Sequence, residues 1–274
     1  MTQKRAPFTA FEHAGWQQSV ARYEASFGKL TQQSVAPLLR ALVAGEGTRF
    51  LDVATGPGFV AARARELGAR VTAIDFSEAM LERARERFPD LDFRNGDAER
   101  LAFADRSFDA VAMSFGLLHL ADPERAIAEA FRVLERGGRF GFTVWEKPDA
   151  ALGFRIVLDA VAQHGRRDVA QPQGPDFFFY SEPAHARSAL EKAGFANARV
   201  ELHAQTWQLD SGDELFEAFW RGTARTGGLL REQSADALAR IACAVRAGAG
   251  AFAVDGGRVA IPMPAWIASA EKPV

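Results

Sequence analysis

Phe50 to Ala61 reads FLDVATGPGFVA: an apolar run holding one acid, then Gly56 and Gly58, then the start of an apolar helix. Strand, glycine turn and helix in that order form the opening unit of a doubly wound α/β sheet, where glycine lets backbone come close to a ligand. Downstream, short apolar runs alternate with helical segments: RVTAID from Arg70, SEAMLERARERF from Ser77, LDFRNGD from Leu91, FDAVAMSF from Phe108, PERAIAEAFRVLERGG from Pro123 and RFGFTVWE from Arg139. Consecutive parallel strands need crossover helices, so this rhythm predicts a Rossmann-like, mostly parallel sheet with helices on both faces. Ser77 starts one helix and Pro123 with Glu124 another, and the Gly137-Gly138 pair reads as the stop of the latter.

On the N-terminal side, Trp16 to Val43 carries apolar residues at helical spacing, which predicts two or three helices ahead of the core. On the C-terminal side the pattern is irregular: a helix from Ala150 to Gln163, the turn-rich QPQGPDFFFYSEP, a helix from Pro183 to Ala193, a strand from Ala198 to Leu209, and a helical stretch from Asp213 to Ala247. The end, Arg258 to Ala270, reads as a strand whose Pro262 and Pro264 confine it to an edge or a bulge. These pieces are expected to form one domain over residues 1–274: an N-terminal helical cap (1–48), a ligand-binding core (49–145), and the remaining sheet with helical inserts as a lid (146–274).

Composition removes several classes. Across 274 residues, 33 basic side chains nearly cancel 35 acidic ones, so a net charge of -2 gives no reason to expect nucleic acid or an anionic membrane as partner. No apolar stretch approaches the roughly 18 residues of a membrane span, and the N-terminus lacks the apolar core of a secretory signal. A single cysteine, Cys243, rules out an intrachain disulfide framework and fits a cytoplasmic protein. His and carboxylates show no ligand spacing of the HExxH kind, so no metal is expected.

The glycine loop alone admits two ligands. With Ala61 in the third position it meets a dinucleotide fingerprint, and Asp75 lies nineteen residues past Gly56, suited to a ribose diol. Asp52 separates the readings: placed at the end of the first strand, its carboxylate repels a pyrophosphate and attracts an ammonium. The competing reading of Asp52 is a cap for the loop amides. Asp97, after the third strand, is placed to accept from an adenine amino group, with Ala98 leaving room for the ring. Acids ending three successive strands suit a ligand with an ammonium, a sulfonium and a ribose but no phosphate, namely S-adenosylmethionine.

Taken together, LDVATGPG (Leu51 to Gly58), TAIDFSEAML (Thr72 to Leu81), NGDAERLAF (Asn95 to Phe103), FDAVAMSFGLLHL (Phe108 to Leu120) and RVLERGGRF (Arg132 to Phe140) resemble the class I S-adenosylmethionine-dependent methyltransferases. The likeness is to the small-molecule branch that includes the ubiquinone and menaquinone biosynthesis C-methyltransferases, and it covers about a third of the chain. It implies that the loop of Asp52, Ala54, Thr55, Gly56, Pro57 and Gly58 holds the methionine part and Asp75 the ribose. Phe76 and Met80 would flank the adenine, with Gly96, Asp97 and Ala98 at its edge. Ala54 departs from the glycine common in the family.

Ser114, Phe115 and His119 follow the fourth strand on a loop facing the methyl donor, which places Ser114 and Phe115 among the expected cofactor-binding residues and makes His119 a general base or a polar wall of the pocket. Phe177, Phe178, Phe179, Tyr180, Phe216, Phe219, Trp220 and Phe252 favour an apolar or aromatic small-molecule acceptor, or else are core; Trp16, Tyr23 and Phe27 read as helix packing or as part of a closing cap. The expected activity is methyl transfer to such an acceptor, with S-adenosylhomocysteine as product. The alternatives are a non-catalytic S-adenosylmethionine-binding module and an NAD-dependent oxidoreductase. The acceptor atom and the oligomeric state stay open.

Overall fold

The computed structural model describes residues 5–274, which fall into two compact units. One unit is formed by the chain up to Leu30 with Glu146–Gln173 and Ala204–Pro264; the other by Thr31–Trp145, Gly174–His203 and Ala265–Val274. In chain order the elements are helices α1 (Arg5–Ala25), α2 (Phe27–Thr31) and α3 (Val35–Ala41), then β1 (Arg49–Val53), α4 (Phe59–Glu66), β2 (Arg70–Asp75), α5 (Glu78–Arg87) and β3 (Asp92–Asn95). They continue with β4 (Phe108–Ser114), α6 (Pro123–Val133), β5 (Leu134–Trp145), α7 (Leu152–His164), α8 (Pro183–Lys192), β6 (Ala196–His203) and β7 (Thr206–Leu209). The last are α9 (Gly212–Gly222), α10 (Arg225–Arg231), α11 (Ala235–Gly250), β8 (Val259–Pro262) and β9 (Ala265–Glu271).

The second unit carries a seven-stranded sheet in the order β3-β2-β1-β4-β5-β9-β6, parallel from β3 to β5 and antiparallel where β9 meets β5 and β6. Parallel strands are covered on both faces and read as continuous apolar runs, as β1 and β4 do. Phe50, Ala110, Ala112 and Ile267 meet α3 and α4 on one side through Leu38, Leu39, Leu42, Val60 and Ala64. Ala73 and Phe93 pack with Ala61, Leu81 and Ala84 of α4 and α5. The direction of progression reverses between β1 and β4, and the crevice beyond the carboxyl ends of those strands is where open α/β sheets bind ligands.

The first unit assembles α1, α7, α9, α10 and α11 with the β7–β8 pair. Its centre is aromatic: Phe27 lies 4.3 Å from Trp207, 5.1 Å from Phe219 and 6.5 Å from Phe154 by ring centroids. Phe27, Phe216 and Phe219 are therefore buried core side chains, as the packing alternative has it. Glu12 of α1 is fully buried and accepts from Arg225 Nε at 2.8 Å and from Trp16 Nε1 at 3.1 Å, so its charge is paired where burial alone would be costly.

Several local readings are corrected. The stretch Ala198 to Leu209 is two strands, because β6 joins β9 in the large sheet while β7 pairs with β8 in the other unit. Helix α6 ends at Val133; Gly137 and Gly138 lie inside β5, Gly137 with φ +75°, where the register against β4 shifts. The single helical stretch from Asp213 is three helices, broken after Gly222 and before the Ser234 cap of α11. The terminal run is two strands whose prolines fall at the junction: Pro262 ends β8, and β9 then runs as an interior strand between β5 and β6. The helix starts hold, with Ser77 Oγ accepting from the Met80 amide and Asp122 capping α6 ahead of Pro123.

Candidate active site at the carboxyl ends of the strands

The loop after β1 has a backbone that alternates in hand: Ala54, Gly56 and Gly58 take φ values of +56°, +54° and +87°. At Gly58 a side chain is excluded twice over, by φ and by Phe93, whose Cζ would sit 2.8 Å from an added Cβ. At Gly56 there is open space instead, as close approach by a ligand requires. Ala54 adopts a conformation that costs an L-residue about 1 kcal/mol and that glycine takes freely. Ala54→Gly is expected to raise stability by roughly 0.5–1 kcal/mol, or ~2 °C in melting temperature, by differential scanning calorimetry.

Two carboxylates occupy the underside of this loop. Asp52 is fully buried; its Oδ2 accepts from Thr55 Oγ1 at 2.6 Å and from the Ala61 amide at 3.0 Å, while its Oδ1 is buried with no hydrogen-bond partner. Ala61 is in the first turn of α4, so a carboxylate stands at the helix N-terminus that, in dinucleotide folds, faces the pyrophosphate. Asp75, at the end of β2, accepts from the Gly56 amide at 2.8 Å and from the Ser77 amide at 2.9 Å. Burial pushes the Asp52 carboxyl up to about 7, against the lowering bonds from Thr55 and Ala61 and with a smaller upward push from the Asp75 charge. Burial likewise raises Asp75 to about 6, opposed by the Ser77, Gly56 and Phe76 amides and by the nearby His119. The loop amides of Gly56 and Ala61 are thus taken by acid, and the charge left over suits a cation, not a phosphate.

The remaining residues gather at neighbouring strand ends. Thr55 and Pro57 are buried; Phe76 is half-buried and its carbonyl accepts from Asn95 Nδ2 at 3.3 Å. Met80 is buried in the first turn of α5. The Gly96 amide bonds to Asp75 O at 3.0 Å, and a Cβ there would press on Ile74 at 3.1 Å. Ala98 is buried, but Asp97 is exposed and its Oδ1 accepts from the Glu99 amide at 2.8 Å, forming a turn of its own. Ser114 ends β4; Phe115 follows with φ +56° and stacks on Trp145 at 4.1 Å. His119 closes a short 3-10 turn, near Asp75 and edge-on to Phe177 at 5.8 Å.

Local motif reading misses Thr143, Trp145 and Gly116. Trp145 supports Phe115, and a Cβ on Gly116 would come within 2.6 Å of that of Ala54, so the turn after β4 rests on the loop after β1. The one signal available for Thr143 is a hydroxyl in the otherwise apolar run FGFTVW. Among the described residues no group of His, Cys, Asp or Glu is placed to hold a metal ion.

The strand order, with an antiparallel strand inserted between the fifth strand and the edge, defines the class as a methyltransferase fold of Rossmann-like type. Residues 51–142 match the methyltransferase domain family. The chain is 42% identical over 204 residues to the demethylmenaquinone methyltransferase of Beutenbergia cavernae, covering 70% of this chain and 75% of that one. It is 45% identical over 102 residues to that of Renibacterium salmoninarum, covering 37% of this chain and 43%, less than half, of the relative. Among solved structures, phosphoethanolamine N-methyltransferase 2 of Haemonchus contortus in complex with S-adenosyl-L-methionine has the same fold, with a TM-score of 0.56 at 21% identity over 94% of this chain and 57% of that one. The chain belongs to the methyltransferase family that contains the demethylmenaquinone methyltransferases.

Proposed function

We propose that this protein transfers the sulfonium methyl of S-adenosylmethionine to a small apolar acceptor of quinol type, releasing S-adenosylhomocysteine. The observation that carries the reading is the buried Asp52, whose Oδ2 closes the helix terminus against phosphate and whose Oδ1 is left without a partner. An ammonium is the complement of that oxygen, and Asp75 and Phe76 suit the ribose and adenine. When bound, the donor supplies a methyl already activated for in-line displacement. The protein's part is then positional, holding donor and acceptor in near-attack geometry. The Asp52 loop would bind the methionine end, and Phe115 and Phe177 would present apolar surface. His119 would accept the proton that the acceptor loses and pass it to solvent. The quinol class rests on the names of the relatives. Cytoplasmic residence belongs to the same reading; no described helix is long and apolar enough to cross a membrane.

The test is calorimetric titration with S-adenosylhomocysteine and, separately, NAD, followed by turnover with demethylmenaquinol. We expect binding of the first, none of the second, and appearance of a methylated product. Binding of S-adenosylhomocysteine without methyl transfer to demethylmenaquinol or to a wider quinol panel would replace the enzyme by a binding module. Binding of NAD alone would overturn the argument from Asp52.

A further inference from the structure

Thr143 is fully buried at the carboxyl end of β5, directly opposite Ser114 of β4 in the parallel register. A buried hydroxyl is retained only where it is bonded, and a threonine has one hydrogen to donate and two lone pairs to offer. Here Oγ1 accepts from the Phe115 amide at 3.0 Å and shares a hydrogen with Ser114 Oγ at 3.2 Å. The Phe115 amide also reaches the Thr143 carbonyl at 3.2 Å, so one N–H is held by both the side chain and the backbone of a single residue.

The residue held in this way is strained. A bulky side chain with φ +56° persists only where its surroundings over-determine it, and such residues cluster at working sites. The clamps on Phe115 are the Thr143 hydroxyl, the Trp145 ring against its own, and Gly116 seated on Ala54. The chain then makes one 3-10 turn, closed by His119 N donating to Gly116 O at 3.0 Å, which leaves His119 edge-on to Phe177 at 5.8 Å.

We infer that Thr143 is a positioning residue: its hydroxyl holds Phe115 and Ser114 and thereby sets the turn that places His119 edge-on to Phe177. This rests on the methyl-transfer reading above. Thr143 itself is not among the residues proposed to hold the donor: the contacts to its methionine end, ribose and adenine are on the β1, β2 and β3 loops, and only Ser114 and Phe115, expected at its methyl end, rest on the Thr143 hydroxyl. Its loss should therefore slow the chemical step and leave donor binding alone.

The experiment compares wild type, Thr143→Val, which keeps the shape and removes the hydroxyl, and Thr143→Ser, which keeps the hydroxyl. Hydrogen exchange of the 114–120 segment, S-adenosylhomocysteine affinity by calorimetry, and kcat and KM with demethylmenaquinol are measured on each. In Thr143→Val we expect faster exchange in 114–120, affinity within twofold of wild type, and kcat lower by about tenfold with KM for the donor unchanged, the size of effect that a small misplacement produces. Thr143→Ser should restore both exchange and kcat. Unchanged exchange in Thr143→Val, a loss of affinity equal to the loss of kcat, or failure of Thr143→Ser to rescue would each overturn the inference. Wild-type protein that binds S-adenosylhomocysteine but gives no turnover, with exchange still dependent on the hydroxyl, would sink the methyl-transfer reading and leave the control of the turn standing.

Discussion

Replacing His119 by alanine is expected to lower kcat by about 10²- to 10⁴-fold, the usual contribution of a positioned general base, while S-adenosylhomocysteine affinity stays within a fewfold of wild type. The split follows from where the residue sits. His119 is on the turn after β4, half-exposed and edge-on to Phe177, whereas the buried acids proposed to hold the donor belong to β1 and β2. Its one resolved influence on those acids is to lower the Asp75 carboxyl, and that influence is the weakest of those acting there. Steady-state turnover beside calorimetric binding separates the roles. Equal turnover in wild type and variant would make His119 a wall of the pocket and leave proton removal to solvent.

Asp52→Asn is expected to weaken S-adenosylhomocysteine binding by roughly 1–3 kcal/mol, or about 5- to 150-fold, the cost of losing a charged hydrogen-bond partner. It should also change the pH dependence, and the sign can be worked out. The buried carboxyl titrates at about 7 in the folded protein and near 3.8 in an ordinary aspartate. Between those values the folded state holds a proton that the unfolded chain has released. The contribution to stability is present in full below about pH 4 and is lost as pH rises through 7. A cationic ligand needs the ionised form, so affinity should rise from pH 6 to pH 8 and level off above. In Asp52→Asn that rise should shrink, and the unliganded variant should be more stable than wild type at pH 8, because a buried charge has been removed. Calorimetric titrations and melting curves at pH 6, 7 and 8 check both. An affinity that is the same in variant and wild type at all three values would remove Asp52 from the ligand.

Asp75 and Asp97 show how far a motif carries. Their place after a strand predicts a ligand contact for both. Asp75 is buried with each oxygen on a loop amide, so it shapes the loop. Asp97 is exposed and closes its own turn. Their surroundings differ because β2 lies inside the sheet while β3 is an edge strand, and edge position is a property of strand order, not of local pattern. The same holds for the aromatics. Phe219 and Phe177 look alike in sequence, yet the first is sealed among Phe27, Phe154 and Trp207 and the second flanks His119.

The alternation of strands and helices, the glycine turn after β1, the acid at Asp52 and the helix starts at Ser77 and Pro123 were all legible in the chain, because periodicity, turn chemistry and capping act over a few residues. Contacts between distant residues were not. That β9 inserts antiparallel between β5 and β6, that Thr143 grips Phe115, that His119 meets Phe177, and that a single run from Ala198 divides between two sheets all depend on pairings far apart in sequence. Such pairings are selected by which apolar faces can be buried together, and local propensity carries no record of that choice.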